Sequence, residues 1–290
     1  MALKKRDPHT GYLTTGHEWN GITELNTPVP RAVYVFLTAA ALFAVAYWIL
    51  MPAWPLGTTY TKGLLGIDER SAVAQATREA ARARGAWTAR IASESFDDIR
   101  KDRQLMEMVR QSGRTLFGDN CAACHGANAR GARGFPDLTA ASMLWGGSPD
   151  AIAQTIRVGV NSEHPQTRSS QMPAFGHDGM LARKDVENVV AYVRSLSGAA
   201  KAKDEAVAAG RAIFSANCAA CHGERGTGNV EVGAPDLTDR AWIYGDDLQT
   251  VHETVWGGRQ GQMPTWEGRL SELDRKILTL YLLDLRAARR

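Results

Sequence analysis

The chain holds only four cysteines among 290 residues, and none is spare. All four lie in two nearly identical stretches, Asn120-Cys121-Ala122-Ala123-Cys124-His125-Gly126 and Asn217-Cys218-Ala219-Ala220-Cys221-His222-Gly223. A structural zinc site needs four ligands, and no cysteine is left over to complete one. Charge of one sign is also lacking. Lys and Arg number 34 against 31 Asp and Glu, and the balance stays between −1 and +2 in residues 1–61, 62–112, 113–200 and 201–290. No basic block suggests nucleic acid. Long apolar runs are scarce as well: a single uncharged stretch stands out, and it falls before residue 55.

What is present is Cys-x-x-Cys-His, twice, the attachment signature of c-type haem. On a helix, residues three and four apart share a face. Cys121 and Cys124 can therefore reach the vinyl groups on one porphyrin edge while His125 turns its ring to the iron, and Cys218, Cys221 and His222 repeat the arrangement. A redox disulfide or half a zinc site would also use Cys-x-x-Cys. The histidine that directly follows each pair, and the duplication itself, favour two covalently bound haem c groups. Covalent attachment in bacteria takes place outside the cytoplasmic membrane, which places residues after about 112 in the periplasm.

The uncharged run is Ala32 to Leu50, extended by Met51-Pro52-Ala53-Trp54, long enough to cross a bilayer as one helix. Arg31 stands at one end, with Trp48 and Trp54 as interface anchors at the other. Ala44-Val45-Ala46 fits a signal-peptidase pattern, but the polar lead is thirty residues long, its early basic cluster is Lys4-Lys5-Arg6, and apolar residues continue past the cleavage point. A buried soluble helix is disfavoured because the run has no polar face. The reading is a retained anchor with the amino terminus inside. Asp68 to Arg84 is rich in Ala, Arg and Glu and predicts a solvated helix.

Beyond residue 112 the chain repeats itself. Gly113 to Phe117 aligns with Gly210 to Phe214, Pro136-Asp137-Leu138-Thr139 with Pro235-Asp236-Leu237-Thr238, Thr155 and Gly159 with Thr254 and Gly258, Met172-Pro173 with Met263-Pro264, and Tyr192 with Tyr281. The cysteine-to-methionine distances are 51 and 45 residues, so the first copy carries an insertion near Asn161 to Gln171. In each copy the closing amphipathic helix, Val186 to Leu196 or Leu273 to Leu285, is expected to cross the opening helix of that same copy, near Phe117 or Phe214.

The fold expected is all-α: one transmembrane helix followed by two tandem class I cytochrome c domains. Its segments are a cytoplasmic piece 1–31, the span 32–54, a periplasmic helical connector 55–112, domain 1 at 113–200 and domain 2 at 201–290. His125 and His222 supply one axial nitrogen each, with Met172 as the opposite ligand in the first copy and Met263 in the second. Met143, Met180, His164 and His177 are available to the first iron in principle, yet only Met172 has a counterpart in the other copy. A haem closed by His and Met on both sides leaves no position for peroxide or oxygen, and its thioether ligand raises the potential. Such haems relay electrons, and no catalytic residue is assigned. Each histidine needs an acceptor behind it; in cytochromes c a proline carbonyl after the motif serves, and Pro136 and Pro235 are the matching candidates.

The chain as a whole resembles subunit III of cbb3-type cytochrome c oxidases, the CcoP/FixP family. The resemblance rests on the two haem segments, on Thr15-Gly16-His17-Glu18-Trp19-Asn20-Gly21-Ile22 with Glu24-Leu25-Asn26, and on Pro52-Ala53-Trp54-Pro55 with Tyr60-Thr61-Lys62-Gly63. Val29-Pro30-Arg31-Ala32 departs from it, since the family often has Leu-Pro followed by aromatics there. The resemblance implies a single-span inner-membrane subunit beside a monohaem cytochrome subunit and a catalytic haem b and copper subunit. It would take electrons from soluble c-type cytochromes for reduction of oxygen to water, coupled to proton pumping next door. Two other readings compete: a dihaem peroxidase, which needs one iron able to open, and a membrane-anchored cytochrome serving a periplasmic dehydrogenase or a nitric-oxide reductase.

Overall fold

The structure, a computed structural model, describes residues 5–198 and 204–289. The expected boundary at 200/201 and Lys4 of the basic cluster fall outside the described residues. The chain divides into two compact units, one up to Ala83 and one from Arg84.

The chain is mostly helical, as expected, and the first unit opens with a short hairpin. Strands β1 (Thr14–Trp19) and β2 (Ile22–Leu25) pair antiparallel. The two-residue turn between them, Asn20-Gly21, has positive φ at both positions (50° and 86°), as a tight hairpin requires. Helix α1 (Arg31–Leu50) follows directly after Pro30. Its twenty residues would reach about 30 Å, the thickness of a hydrocarbon core. Tyr34, Phe36, Leu42 and Phe43 all lie exposed, and none of its residues is buried. The expected span to residue 54 is too long: the helix stops at Leu50, and Met51 is extended. Pro52 is the cause, because proline forces the residue before it out of the helical region. Trp54 still meets Trp48 edge-on at 5.1 Å.

Helix α2 (Glu69–Ser93) runs well past Arg84, the expected helical limit. It is followed by α3 (Phe96–Lys101) and α4 (Arg103–Asn120), whose starts are capped by the Ser95 and Asp102 side chains. Residues 84–112 were expected to be connector. Instead Trp87, Ile91, Phe96, Ile99, Leu105, Met106 and Val109 pack into the core that surrounds Phe117.

The remaining helices are α5 (Ala122–His125), α6 (Pro149–Val158), α7 (Arg183–Leu196), α8 (Asp204–Asn217), α9 (Ala219–His222), α10 (Leu248–Gly257) and α11 (Glu272–Ala287). They form two cores, and the cores do not follow the two sequence copies. The opening helix of the first copy, α4, packs on α11, the closing helix of the second; α6 packs on α11 too. In return α8 packs on α7, and α10 on α7. One core joins Val109, Phe117, Ile152 and Ile156 to Ile277, Leu278, Leu280 and Tyr281. The other joins Val186, Val189, Val190 and Tyr192 to Phe214, Val251 and Val255. The expectation that each closing helix crosses the opening helix of its own copy is therefore overturned: the closing helices are exchanged.

A short connection explains half of this. Seven residues separate Leu196 from Asp204, and helices so joined pack as neighbours. Glycine permits the close crossings. A Cβ on Gly113 would stand 2.6 Å from Cβ of Tyr281, and one on Gly210 would stand 2.8 Å from Cβ of Tyr192. Phe117 and Tyr281 rings lie 6.0 Å apart, and Phe214 and Tyr192 rings 5.3 Å. Polar contacts add to the exchange: Arg110 forks onto Asp284 with two bonds of 2.9 Å, and Lys276 donates to the Glu94 carbonyl at 2.6 Å.

Gly113→Val is expected to destabilise the protein by roughly 1–3 kcal/mol through overpacking. A double-mutant cycle on thermal unfolding should show Gly113→Val coupled to Tyr281→Ala and additive with Tyr192→Ala. Coupling to Tyr192 instead would restore packing within each copy.

Candidate haem sites

Both attachment motifs are built alike. Helix α4 ends at Asn120, whose amide donates back to the Leu116 carbonyl at 2.8 Å; Asn217 does the same to Ile213 at 2.9 Å. One further turn presents the ligands. The Cys121 carbonyl accepts from the Cys124 and His125 amides at 3.2 and 2.9 Å, and the Cys218 carbonyl from Cys221 and His222 at 3.1 and 3.0 Å. Gly126 and Gly223 then break the helix at φ of 74° and 77°, a backbone only glycine adopts freely.

The loop after each motif returns to hold the histidine. His125 Nδ1 lies 3.2 Å from the Pro136 carbonyl and His222 Nδ1 lies 3.0 Å from that of Pro235. A carbonyl only accepts, so Nδ1 carries the proton and Nε2 keeps a lone pair for a metal. Burial pushes both histidines below their ordinary pKa, which favours that neutral ring. Asp137 and Asp236 pin the loops, each accepting from the amide of Thr139 or Thr238 at 2.7 and 2.8 Å.

Burial raises the Cys121 and Cys218 thiols to about 11. A redox disulfide pair works through a thiol of lowered pKa, so these surroundings speak against that alternative. One half-buried and one exposed thiol beside a histidine with a fixed tautomer fit thioether attachment of a porphyrin.

The methionines lie where the chain crosses between cores. After α6 it leaves the first core, and residues 159–172 carry it to the second; residues 258–264 bring it back. The two crossings run side by side. Met172 and Arg259 exchange backbone hydrogen bonds of 2.8 and 3.1 Å, and Val160 and Met263 exchange a pair of 2.9 Å each. Since Val160 corresponds to Arg259 and Met172 to Met263, the contact is two-fold symmetric. Met172 packs in the core of Phe214 and Cys218. Met263 leads straight to Trp266 and Leu270, which pack in the core of Phe117 and Cys121. The sequence pairs Met172 with the first motif and Met263 with the second, whereas Met172 lies in the core of the second motif and the strand of Met263 runs on into the core of the first.

The other candidates are engaged elsewhere. Met143 packs in the first core with its sulfur accepting from Arg286, Met180 is exposed, His164 Nε2 meets Glu267 at 2.7 Å, and His177 pairs with Asp178 at 3.0 Å. Two arginines went unnoticed in the sequence. Arg168 stacks on Trp145 and Arg259 on Tyr244, at 5.0 and 4.4 Å from the ring centroids. A signal existed: each stands four residues before a Met-Pro pair.

Three families match successive parts of the chain. Residues 11–58 match the family described as the N-terminal domain of cytochrome oxidase-cbb3, FixP, residues 111–197 match cytochrome c, and residues 205–282 match cytochrome c oxidase, cbb3-type, subunit III. The chain is 48% identical over 279 residues to the cbb3-type cytochrome c oxidase subunit FixP of Bradyrhizobium sp. (strain ORS 278), covering 96% of both chains. It is 46% identical to the FixP subunit of Azorhizobium caulinodans over 95% of this chain and 93% of the other. With the CcoP subunit of Azospirillum brasilense it shares 41% identity over 98% of this chain and 99% of the other.

Proposed function

Since the chain belongs to the FixP/CcoP family of cbb3-type cytochrome c oxidase subunits, we propose that it is the dihaem electron relay of such an oxidase. It accepts electrons from soluble c-type cytochromes and passes them toward a catalytic subunit with haem b and copper, where oxygen is reduced to water. A monohaem cytochrome subunit is its other neighbour. Helix α1 anchors it in the bacterial inner membrane, amino terminus in the cytoplasm and haem domains in the periplasm.

Covalently bound haem c supplies one-electron carriers; the chain sets how they behave. Cys121 and Cys124 would hold the first haem and Cys218 and Cys221 the second. His125 with Met263, and His222 with Met172, would be the iron ligands. Pro136 and Pro235 fix the histidine rings through their Nδ1 hydrogens. The single observation that carries the reading is the duplicated, proline-backed histidine after each cysteine pair, Nδ1 held by the Pro136 or Pro235 carbonyl. Closed on both faces, such sites exclude a reacting molecule, which favours relay over peroxidase chemistry.

Purification through a tag after Arg290 tests the reading. Haem b and copper are expected to co-purify with the chain, and recovery without them would contradict the oxidase assignment.

A further inference from the structure

Arg168 is poorly served by the residues around it. Its guanidinium donates to the Ala151 carbonyl at 3.1 Å and stacks on Trp145, yet Nε is buried with no hydrogen-bond partner among the described residues. Among the described residues no carboxylate pairs with it, and burial depresses its pKa, with the exposed Glu231 acting against that. A half-buried cation with a buried, idle Nε donor calls for an anion. Arg259, which likewise stands four residues before a Met-Pro pair, is placed alike: Nε donates to the Thr254 hydroxyl at 3.0 Å, the guanidinium covers Tyr244, and no carboxylate among the described residues pairs with it.

The elements that hold each arginine say which site it serves. Ala151 lies on α6, which packs with α11 in the core of Cys121; Thr254 lies on α10, which packs with α7 in the core of Cys218. Each crossing strand therefore carries an arginine committed to one haem site and, four residues on, a methionine committed to the other.

We propose that Arg168 and Arg259 are the cationic seats for haem propionates, Arg168 at the first haem and Arg259 at the second. This rests on the haem reading above and assigns two positioning residues to it. Haem carries two propionates, the anions that a half-buried guanidinium stacked on an aromatic ring would receive, and arginine's planar fork matches a carboxylate. A fixed positive charge near each iron favours the electron-rich state and raises the potential.

A redox titration of the full chain, resolved into two components, tests this. Arg168→Gln is expected to lower one component about tenfold in its reduced-to-oxidised ratio, ~59 mV for one electron, and Arg168→Lys to recover most of the shift. Arg259→Gln lowers the other component. Met263→Ala and Met172→Ala identify the components: Arg168 moves the one that Met263 moves, and Arg259 the one that Met172 moves. If Arg168→Gln does not accumulate, Arg168→His gives a second route. Its component should fall in potential as pH rises through about 6.5, and a pH-independent potential there would overturn the proposal. So would unshifted potentials in both Gln variants with covalent haem retained. Arg168 moving the component that Met172 moves would overturn its assignment to the first haem. Absence of covalent haem from the unaltered chain is a separate failure, of the haem reading itself.

Discussion

A chain stopped before Ser271 loses its first haem domain and keeps its second. The deletion removes α11, more than 140 residues downstream of the first attachment motif, and leaves both methionines in place. Ile277, Leu278, Leu280, Tyr281, Leu282 and Leu283 leave the first core with it. Burying each such side chain is worth roughly 1.5–3 kcal/mol, so the loss is on the order of 10 kcal/mol. That matches the whole stability of a typical domain, about 5–15 kcal/mol. The members of the second core, from Val186 to Val255, all survive the cut. Limited trypsin digestion checks this directly: Arg103, Arg110 and Arg114 on α4 should become cleavable while α7 and α8 stay protected. Protection of α4 with exposure of α8 would mean that the closing helices are not exchanged.

The second large effect concerns the methionines. Met263→Ala is expected to lower the potential of the haem on Cys121 and Cys124, and Met172→Ala that of the haem on Cys218 and Cys221. Loss of a thioether ligand removes the feature that raises a haem's potential. The shift should be a sizeable part of the roughly 0.8 V over which axial ligands set haem potentials. Covalent haem staining should persist in both variants, because the cysteines and histidines are untouched. An unmoved potential would remove the altered methionine as a ligand.

Much of the site was legible in the residues. The four cysteines and the two following histidines announce their chemistry by spacing, and Pro136 and Pro235 by their place after each motif; both carbonyls lie within hydrogen-bond reach of the histidines. The anchor was legible too, apart from its end, where Pro52 stops a helix that hydropathy alone would continue. The exchange of closing helices was not. Phe117 and Phe214, Gly113 and Gly210, Tyr192 and Tyr281 are equivalent, so either closing helix fits either opening helix, and hydrophobic periodicity cannot choose between them. Connection length could have: the seven residues after Leu196 favour α7 beside α8. The insertion in the first copy also has a place in the crossing. Asn161, at φ of 48°, donates to the Ser170 carbonyl at 2.8 Å and the Gly261 carbonyl at 2.7 Å, tying one crossing strand to the other. The part played by residues 84–112 in the first core was hidden for another reason. The solvated helical reading of Asp68 to Arg84 stops short of them, and Ile91, Ile99 and Val109, fully buried, lie beyond it.

The most direct measurement uses a chain with one haem. With Cys218 and Cys221 both changed to Ala, only the haem on Cys121 and Cys124 remains, and its visible absorption and midpoint potential can be recorded alone. Changing Met263 to Ala in that background should abolish methionine ligation and drop the potential, whereas changing Met172 should leave both as they were. A haem that ignores Met263 and responds to Met172 would show that each copy closes on itself, and the crossed relay would be wrong.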